Sequence, residues 1–279
     1  MVRVEGGSVL VRGRASAGAH IVAISRRDDL ESRYKFDFRS ENGTVQITAE
    51  KKGSTLTRWF QWGSDLQLEI EVPERTEVDL DTSGGSLSVE QIEGRAQLET
   101  SGGSITVERL RGVLSGETSG GSISVTEVDG NAVVGTSGGS IVVRGVHGTL
   151  QADTSGGSIT AEDVSGALHA ETSGGSIRVS GAGGRVDAET SGGNVEVAFA
   201  RGNSAGGTIG SSGGGVRVSL DPGASLVLDA AASGGSVTSG VSLGTTVSSS
   251  RSELRGRLGA GGAVLHVRAS GGSVRIEAL

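Results

Sequence analysis

Histidine, serine and carboxylate side chains can relay protons, attack carbonyl groups or hold metal ions, and their spacing decides whether a chain uses them so. The four histidines, His20, His147, His169 and His266, fall in different phases of a repeat, so no two are expected in one column and no metal-ligand spacing is visible. Serine and aspartate occur throughout, so a Ser/His/Asp set can be drawn anywhere by chance and carries no weight without a pocket. Cysteine is absent, which excludes thiolate metal sites and disulfides. The many Gly-Gly pairs do not read as phosphate loops, because a strand pattern and not a helix follows each one. The sequence therefore assigns no catalytic, cofactor or metal residue.

One set of charged residues does keep a spacing. Asp81, Glu99, Glu117, Asp153, Glu171 and Glu189 share one phase of an 18-residue period, with Gly135 in the remaining place. Such residues are expected to stack as an outward acidic column, about 4.8 Å from one to the next. Like charges at that separation repel by roughly 1 kcal/mol per pair in water, so a solvated stripe is tolerable. Capture of Ca²⁺ is the sharper alternative, but it needs about six to eight converging oxygens, which a flat column does not offer.

The aromatic residues form a second anomaly. Six of the seven, Tyr34, Phe36, Phe38, Trp59, Phe60 and Trp62, lie within 29 positions. They are expected either to close one end of an apolar core or, at Trp59, Phe60 and Trp62, to present a patch for a partner.

The elements that must position these residues are written in the repeat itself. Thr-Ser-Gly-Gly begins at Thr82, Thr100, Thr118, Thr136, Thr154, Thr172 and Thr190, an unbroken 18-residue period that signals a solenoid. After each corner apolar and polar residues alternate, as in Ser122-Ile123-Ser124-Val125, so Ile123 and Val125 are expected to point inward. Val128 continues the wall, Gly130 allows a second turn, and Ala132 and Val134 face the core from a second strand. The same rule gives Leu87, Val89 and Ile92, then Ile105, Val107 and Leu110, and further sets on to Ile177 and Val179. Paired glycines are expected where φ turns positive. The fold class is all-β, a single-stranded β-solenoid with 18-residue rungs of two strands, its handedness undetermined. One continuous solenoid is expected over 1–279: N-terminal rungs with insertions over 1–75, regular repeats over 76–200 and irregular rungs over 201–279. Ser239 to Arg257 reads as a polar loop, and Val274 and Ile276 lie where a last rung would leave its strand edges open.

Composition narrows the partners. A formal charge of −7, with no run of Lys and Arg, argues against nucleic acid. No window approaches the roughly 18 apolar residues of a membrane span, and no signal peptide is visible in the chain as given.

Val72-Pro73, Val78 to Leu80, the Thr-Ser-Gly-Gly-Ser-Ile-x-Val units and Leu258-Gly259-Ala260-Gly261-Gly262 before Ser270 to Ile276 together resemble the bacterial putative-adhesin family of β-strand repeat proteins, a domain of unknown function. The resemblance runs from about Val2 to Ile276. It implies a β-solenoid tied to the cell envelope or exported, without catalytic residues and without cofactors. The expected function is that of a non-enzymatic, adhesin-like envelope or surface protein, whose partner is a glycan, an envelope component or another protein. The absence of a visible leader leaves a cytoplasmic location open. The alternative is a self-assembling scaffold, a homo-oligomer built by end-to-end stacking through Val274 and Ile276.

Overall fold

A computed structural model describes residues 1–15, 17–25, 30–41, 43–52 and 66–279. Among the described residues the structure is all-β apart from one helical turn, Leu30–Arg33, and the chain forms two compact units, Met1–Asp129 and Gly130–Leu279.

In the first unit the strands form two sheets, and from Thr44–Lys51 onward the chain passes alternately between them. One sheet runs Leu114–Thr118, Ala96–Thr100, Val78–Thr82, Val2–Val4, Thr44–Lys51, Tyr34–Glu41, and the other Ile123–Asp129, Ile105–Arg111, Leu87–Glu93, Ser8–Arg14, Leu66–Pro73, His20–Ser25. From Val78 to Asp129 neighbours are parallel and in register one period apart, Leu80 opposite Leu98 and Ile105 opposite Ile123. Among the described residues of this unit, only the outermost strands, Tyr34–Glu41 and His20–Ser25, turn antiparallel. The N-terminal strand Val2–Val4 is inserted between strands that follow it in sequence.

The second unit repeats the plan. Its first sheet runs from Ala132–Thr136 through Leu150–Thr154, Leu168–Thr172, Val186–Thr190 and Gly207–Ser211 to Val264–Ala269, then Leu226–Ala232, Glu253–Leu258 and Thr245–Ser249. Its second runs from Ile141–Val146 through Ile159–Val164, Ile177–Ala182, Val195–Phe199 and Val216–Leu220 to Val274–Ala278 and Val237–Ser239. Two sequence expectations are corrected here. Residues 239–257 are not a polar loop: Thr245–Ser249 and Glu253–Leu258 form an antiparallel hairpin that extends the first sheet. Val274–Ala278 is not a terminal strand but is paired on both edges, and Val274 and Ile276 are 0% exposed, so neither offers an end for stacking. The reason is topological: the last rung in sequence slips between two earlier ones.

The core is the apolar column the sequence predicts. Leu87, Val89, Ile92, Ile105, Val107, Leu110, Ile123, Val125 and Val128 are buried in the first unit, and Ile141, Val143, Val146, Ile159, Ala161, Val164, Ile177 and Val179 in the second. The third member of each triplet returns inward because the residue before it takes a left-handed conformation: Gln91, Arg109, Glu127 and Asp163 have φ of 56–58°, and Gly145 and Gly181 hold the equivalent places. A left-handed residue inserts two consecutive outward side chains and resets the alternation.

Buried threonines bind successive rungs. In the second unit Thr172 Oγ1 donates to the Gly157 carbonyl at 2.9 Å and accepts from the Gly175 N–H at 3.3 Å, and Thr154 and Thr190 repeat the arrangement. The serine after the glycines works alongside: the Ser158 and Ser176 N–H groups donate to Ser140 and Ser158 Oγ at 3.2 Å. The second glycine of each pair has another cause than the one expected. No glycine of a Ser-Gly-Gly corner has positive φ; instead a Cβ at Gly157 would stand 1.9 Å from the Gly139 carbonyl oxygen. Close stacking of the corners, not turn geometry, excludes a side chain there.

Candidate functional site

The acidic residues lie on the outer face of the first sheet in each unit. In the first, Arg3, Asp81, Glu99 and Glu117 are successive partners, and Arg3 Nε stands 3.6 Å from Asp81 Oδ2. In the second the row is Gly135, Asp153, Glu171, Glu189, Gly210 and Arg268. The carboxylates the sequence puts in one phase thus lie in these two rows, Asp81, Glu99 and Glu117 in the first unit and Asp153, Glu171 and Glu189 in the second. The arginine that bounds the row in each unit escapes it, because Arg3 and Arg268 sit on the out-of-order rungs.

Beside this row in the second unit runs another: Val133, Gln151, His169, Asp187, Thr208, His266 and Asp229. His169 and His266 therefore do share a column, against the sequence expectation. The interval from Asp187 to Thr208 is 21 residues, and Thr208 is opposite His266, 58 positions later, so the phase is not readable along the chain. Asp187 is engaged by Arg185 at 2.8 Å. Burial pushes its carboxyl up, but the Arg185 pair and the Thr208 N–H outweigh that and hold it below the usual carboxylate range. Asp229 behaves likewise: burial raises it, and Arg268 at 3.0 Å, with His266 and Arg255, brings it below the usual range.

Three of these side chains converge. His169 Nε2 lies 3.8 Å from Asp153 Oδ1 and 3.9 Å from Glu171 Oε2, and the three donor atoms fall within 4.8 Å of one another. Asp153 Oδ2 accepts from Gln151 Nε2 at 2.8 Å, whereas Oδ1 is shielded from solvent and has no hydrogen-bond partner. The sequence reading missed this group because it followed columns, and the trio is a diagonal across two strands.

A second exposed row comes from the corners. The chain holds ten Ser-Gly-Gly segments, and their serines are exposed in every case. In the second unit they follow one another as Ser137, Ser155, Ser173, Ser191, Ser212, Ser270 and Ser233, one on each successive rung. The preceding buried residue changes from threonine to Ser211, Ala269 and Ala232 in the irregular rungs, yet the exposed serine stays. Its hydroxyl makes no hydrogen bond among the described residues, in contrast to the buried threonine before it and the serine after the glycines, as at Thr154, Thr172, Ser140 and Ser158.

Of the aromatic residues, Tyr34, Phe36 and Phe38 share one strand face with centroids 6.2 and 6.0 Å apart, running from a buried ring to one 53% exposed. Trp59, Phe60 and Trp62 lie outside the described residues. At the other corner of the first unit, Arg75, Glu93, Arg111 and Asp129 form a ladder of alternating charge, with contacts of 3.1, 2.9 and 3.6 Å. Arg75 and Arg111 hold Glu93 below the usual carboxylate range. The 18-residue spacing contains this signal too.

Two stacked sheets of parallel strands, joined rung by rung through buried hydroxyls, define a β-solenoid of toastrack type. The chain belongs to the Toastrack DUF4097 family, which it matches over residues 4–277. It is similar to a crystallised putative adhesin from Bacteroides fragilis NCTC 9343, at 11% identity over 99% of this chain and 90% of that one, with a TM-score of 0.39. It is similar also to a crystallised putative cell adhesion protein from Clostridium sporogenes ATCC 15579, at 10% identity over 100% and 92%, with a TM-score of 0.22. No curated protein matches it. Among the described residues no helix is long and apolar enough to cross a membrane.

Proposed function

We propose that the protein is a non-enzymatic, adhesin-like component of the bacterial surface or envelope, holding a glycan, an envelope component or a partner protein through weak contacts repeated on every rung. The observation that carries this reading is the row of exposed serine hydroxyls that the fold does not use, running beside a row of carboxylates. A single hydroxyl contact contributes about 0.5–1.5 kcal/mol, too little alone, but contacts on one rigid ladder act together. Self-assembly through Val274 and Ile276 forms no part of the proposal, since both are interior.

The test is binding of the purified chain to envelope fractions and arrayed glycans, with cell fractionation alongside. The triple variant Ser155→Ala, Ser173→Ala, Ser191→Ala removes three hydroxyls without touching the hydrogen bonds of the fold. At about 0.5 kcal/mol each, binding should weaken roughly tenfold. Undiminished binding by that variant, or protein confined to the cytosol, would remove the reading.

A further inference from the structure

We propose that Asp153, His169 and Glu171 form a surface site for one divalent transition-metal ion of the Zn²⁺ type. The inference does not depend on the adhesive reading above.

The first support is geometric. Two donors bonded to one Zn²⁺ at about 2.0–2.2 Å stand roughly 3.2–3.6 Å apart at a tetrahedral angle. His169 Nε2 is 3.8 and 3.9 Å from the two carboxylate oxygens, which is too long for hydrogen bonds and a few tenths of an ångström from a shared ion. The side chains are 49%, 40% and 66% exposed for His169, Asp153 and Glu171, so small rotations can close that gap without disturbing the core.

The second support is Asp153 itself. Its Oδ1 is closed off from water, accepts nothing, and is the oxygen that faces His169, while Oδ2 is oriented by Gln151. A carboxylate oxygen without water or a donor is costly, and a cation between Asp153 and His169 would satisfy it. A neutral donor clamping the second oxygen is the usual way a ligating carboxylate is oriented. The neighbouring place in the row is Gly135, so no side chain from that rung reaches across Asp153.

The rest of the face shows why the site is local. Two other carboxylates of the rows have an imidazole beside them, and both are already held by an arginine: Asp187, the strand partner of His169, by Arg185, and Asp229, which meets His266 at 3.2 Å, by Arg268. Arg185, just before the strand next to His169, is spent on Asp187 at 2.8 Å. An imidazole with two carboxylates favours Zn²⁺ over Ca²⁺, which takes about six to eight oxygens. Three protein donors leave a position open to water or to a donor from a partner surface.

Calorimetric titration of the untagged full chain with ZnCl₂ tests the assignment. One ion should bind per chain and raise the melting temperature. His169→Ala and Asp153→Asn should each weaken binding at least about tenfold and abolish the thermal shift, with circular dichroism unchanged because both side chains lie on the outer face of the sheet, away from the apolar core. His266→Ala should bind as the parent does, and the ring resonances of His169 should be the ones that move with Zn²⁺. No binding at about millimolar Zn²⁺, binding indifferent to His169→Ala, or equal competition by Ca²⁺ would each overturn the site and leave an acidic stripe.

Discussion

Replacing Thr172 by valine separates two accounts of what holds the rungs together. The side chain is 2% exposed, so a purely hydrophobic account makes Thr172→Val neutral or stabilising. The hydroxyl, however, donates to the Gly157 carbonyl at 2.9 Å and accepts from the Gly175 N–H at 3.3 Å. Valine fills the same volume but withdraws the hydroxyl from both part-buried backbone groups, and a group orphaned away from water costs about 1–3 kcal/mol. The carbonyl has the shorter contact and should dominate. Thr172→Ser keeps the hydroxyl and loses one methyl, at about 0.8 kcal/mol. The expected order of stability is therefore parent, Ser, Val, with Val below the parent by about 1–3 kcal/mol. Urea denaturation by circular dichroism gives the order, and hydrogen exchange at Gly175 reports the site directly, with protection falling in the valine variant only. A valine variant as stable as the parent, with Gly175 still protected, would refute the reasoning. Ser211 already points the same way, keeping both bonds, to Gly193 at 2.7 Å and from Gly214 at 2.9 Å, after the methyl is gone.

Other substitutions follow from the same geometry. Gly157→Ala should unfold its region or cost more than about 3 kcal/mol, since its Cβ would meet Gly139 O at 1.9 Å, whereas Gly102→Ala, with nothing nearer than 3.7 Å, should melt near the parent temperature. Asp163→Gly relieves a left-handed backbone at φ 56° and should raise stability by roughly 1 kcal/mol, read as a shift in the urea midpoint; an unchanged or lower midpoint would argue against strain there. Ile123→Asp puts a charge at a position 1% exposed and should yield no soluble folded protein, so an ordinary melting profile would contradict the inward assignment. Asp187 and Asp229 have folded pKa values below their unfolded ones, so their stabilisation is present above about pH 4 and is lost as pH falls through the folded values. Stability against pH should thus drop on the acid side, with a shallower drop in Asp187→Asn.

The regular rungs could be read from the chain because one period governs everything in them. Ile105, Ile123 and their equivalents lie 18 residues apart and one strand apart, so sequence phase and position in the core are the same variable. That identity fails where the chain goes back on itself. Val2–Val4 and Val264–Ala269 are inserted between rungs that are neighbours in sequence, so Arg3, Arg268 and His266 take places in columns that their numbers do not reveal. Val274 and Ile276 were expected at an open edge for the same reason and are interior. The acidic row was legible as a row, but the approach of His169 to Asp153 depends on a diagonal between adjacent strands and on which oxygen Gln151 occupies. A period records which residues stack, and not which side chains lean toward one another.

The register itself is open to a direct measurement, because the chain has no cysteine to interfere. Thr160 and Arg178 face outward and are partners on adjacent parallel strands. Partner Cα atoms on neighbouring strands stand about 4.8 Å apart, within the range a disulfide spans. Oxidation of the Thr160→Cys, Arg178→Cys protein should give an intramolecular disulfide in the folded monomer, and Thr160→Cys paired with Ser180→Cys, two residues out of register, should give far less. Free thiols in the first variant, or equal cross-linking in both, would contradict an 18-residue rung.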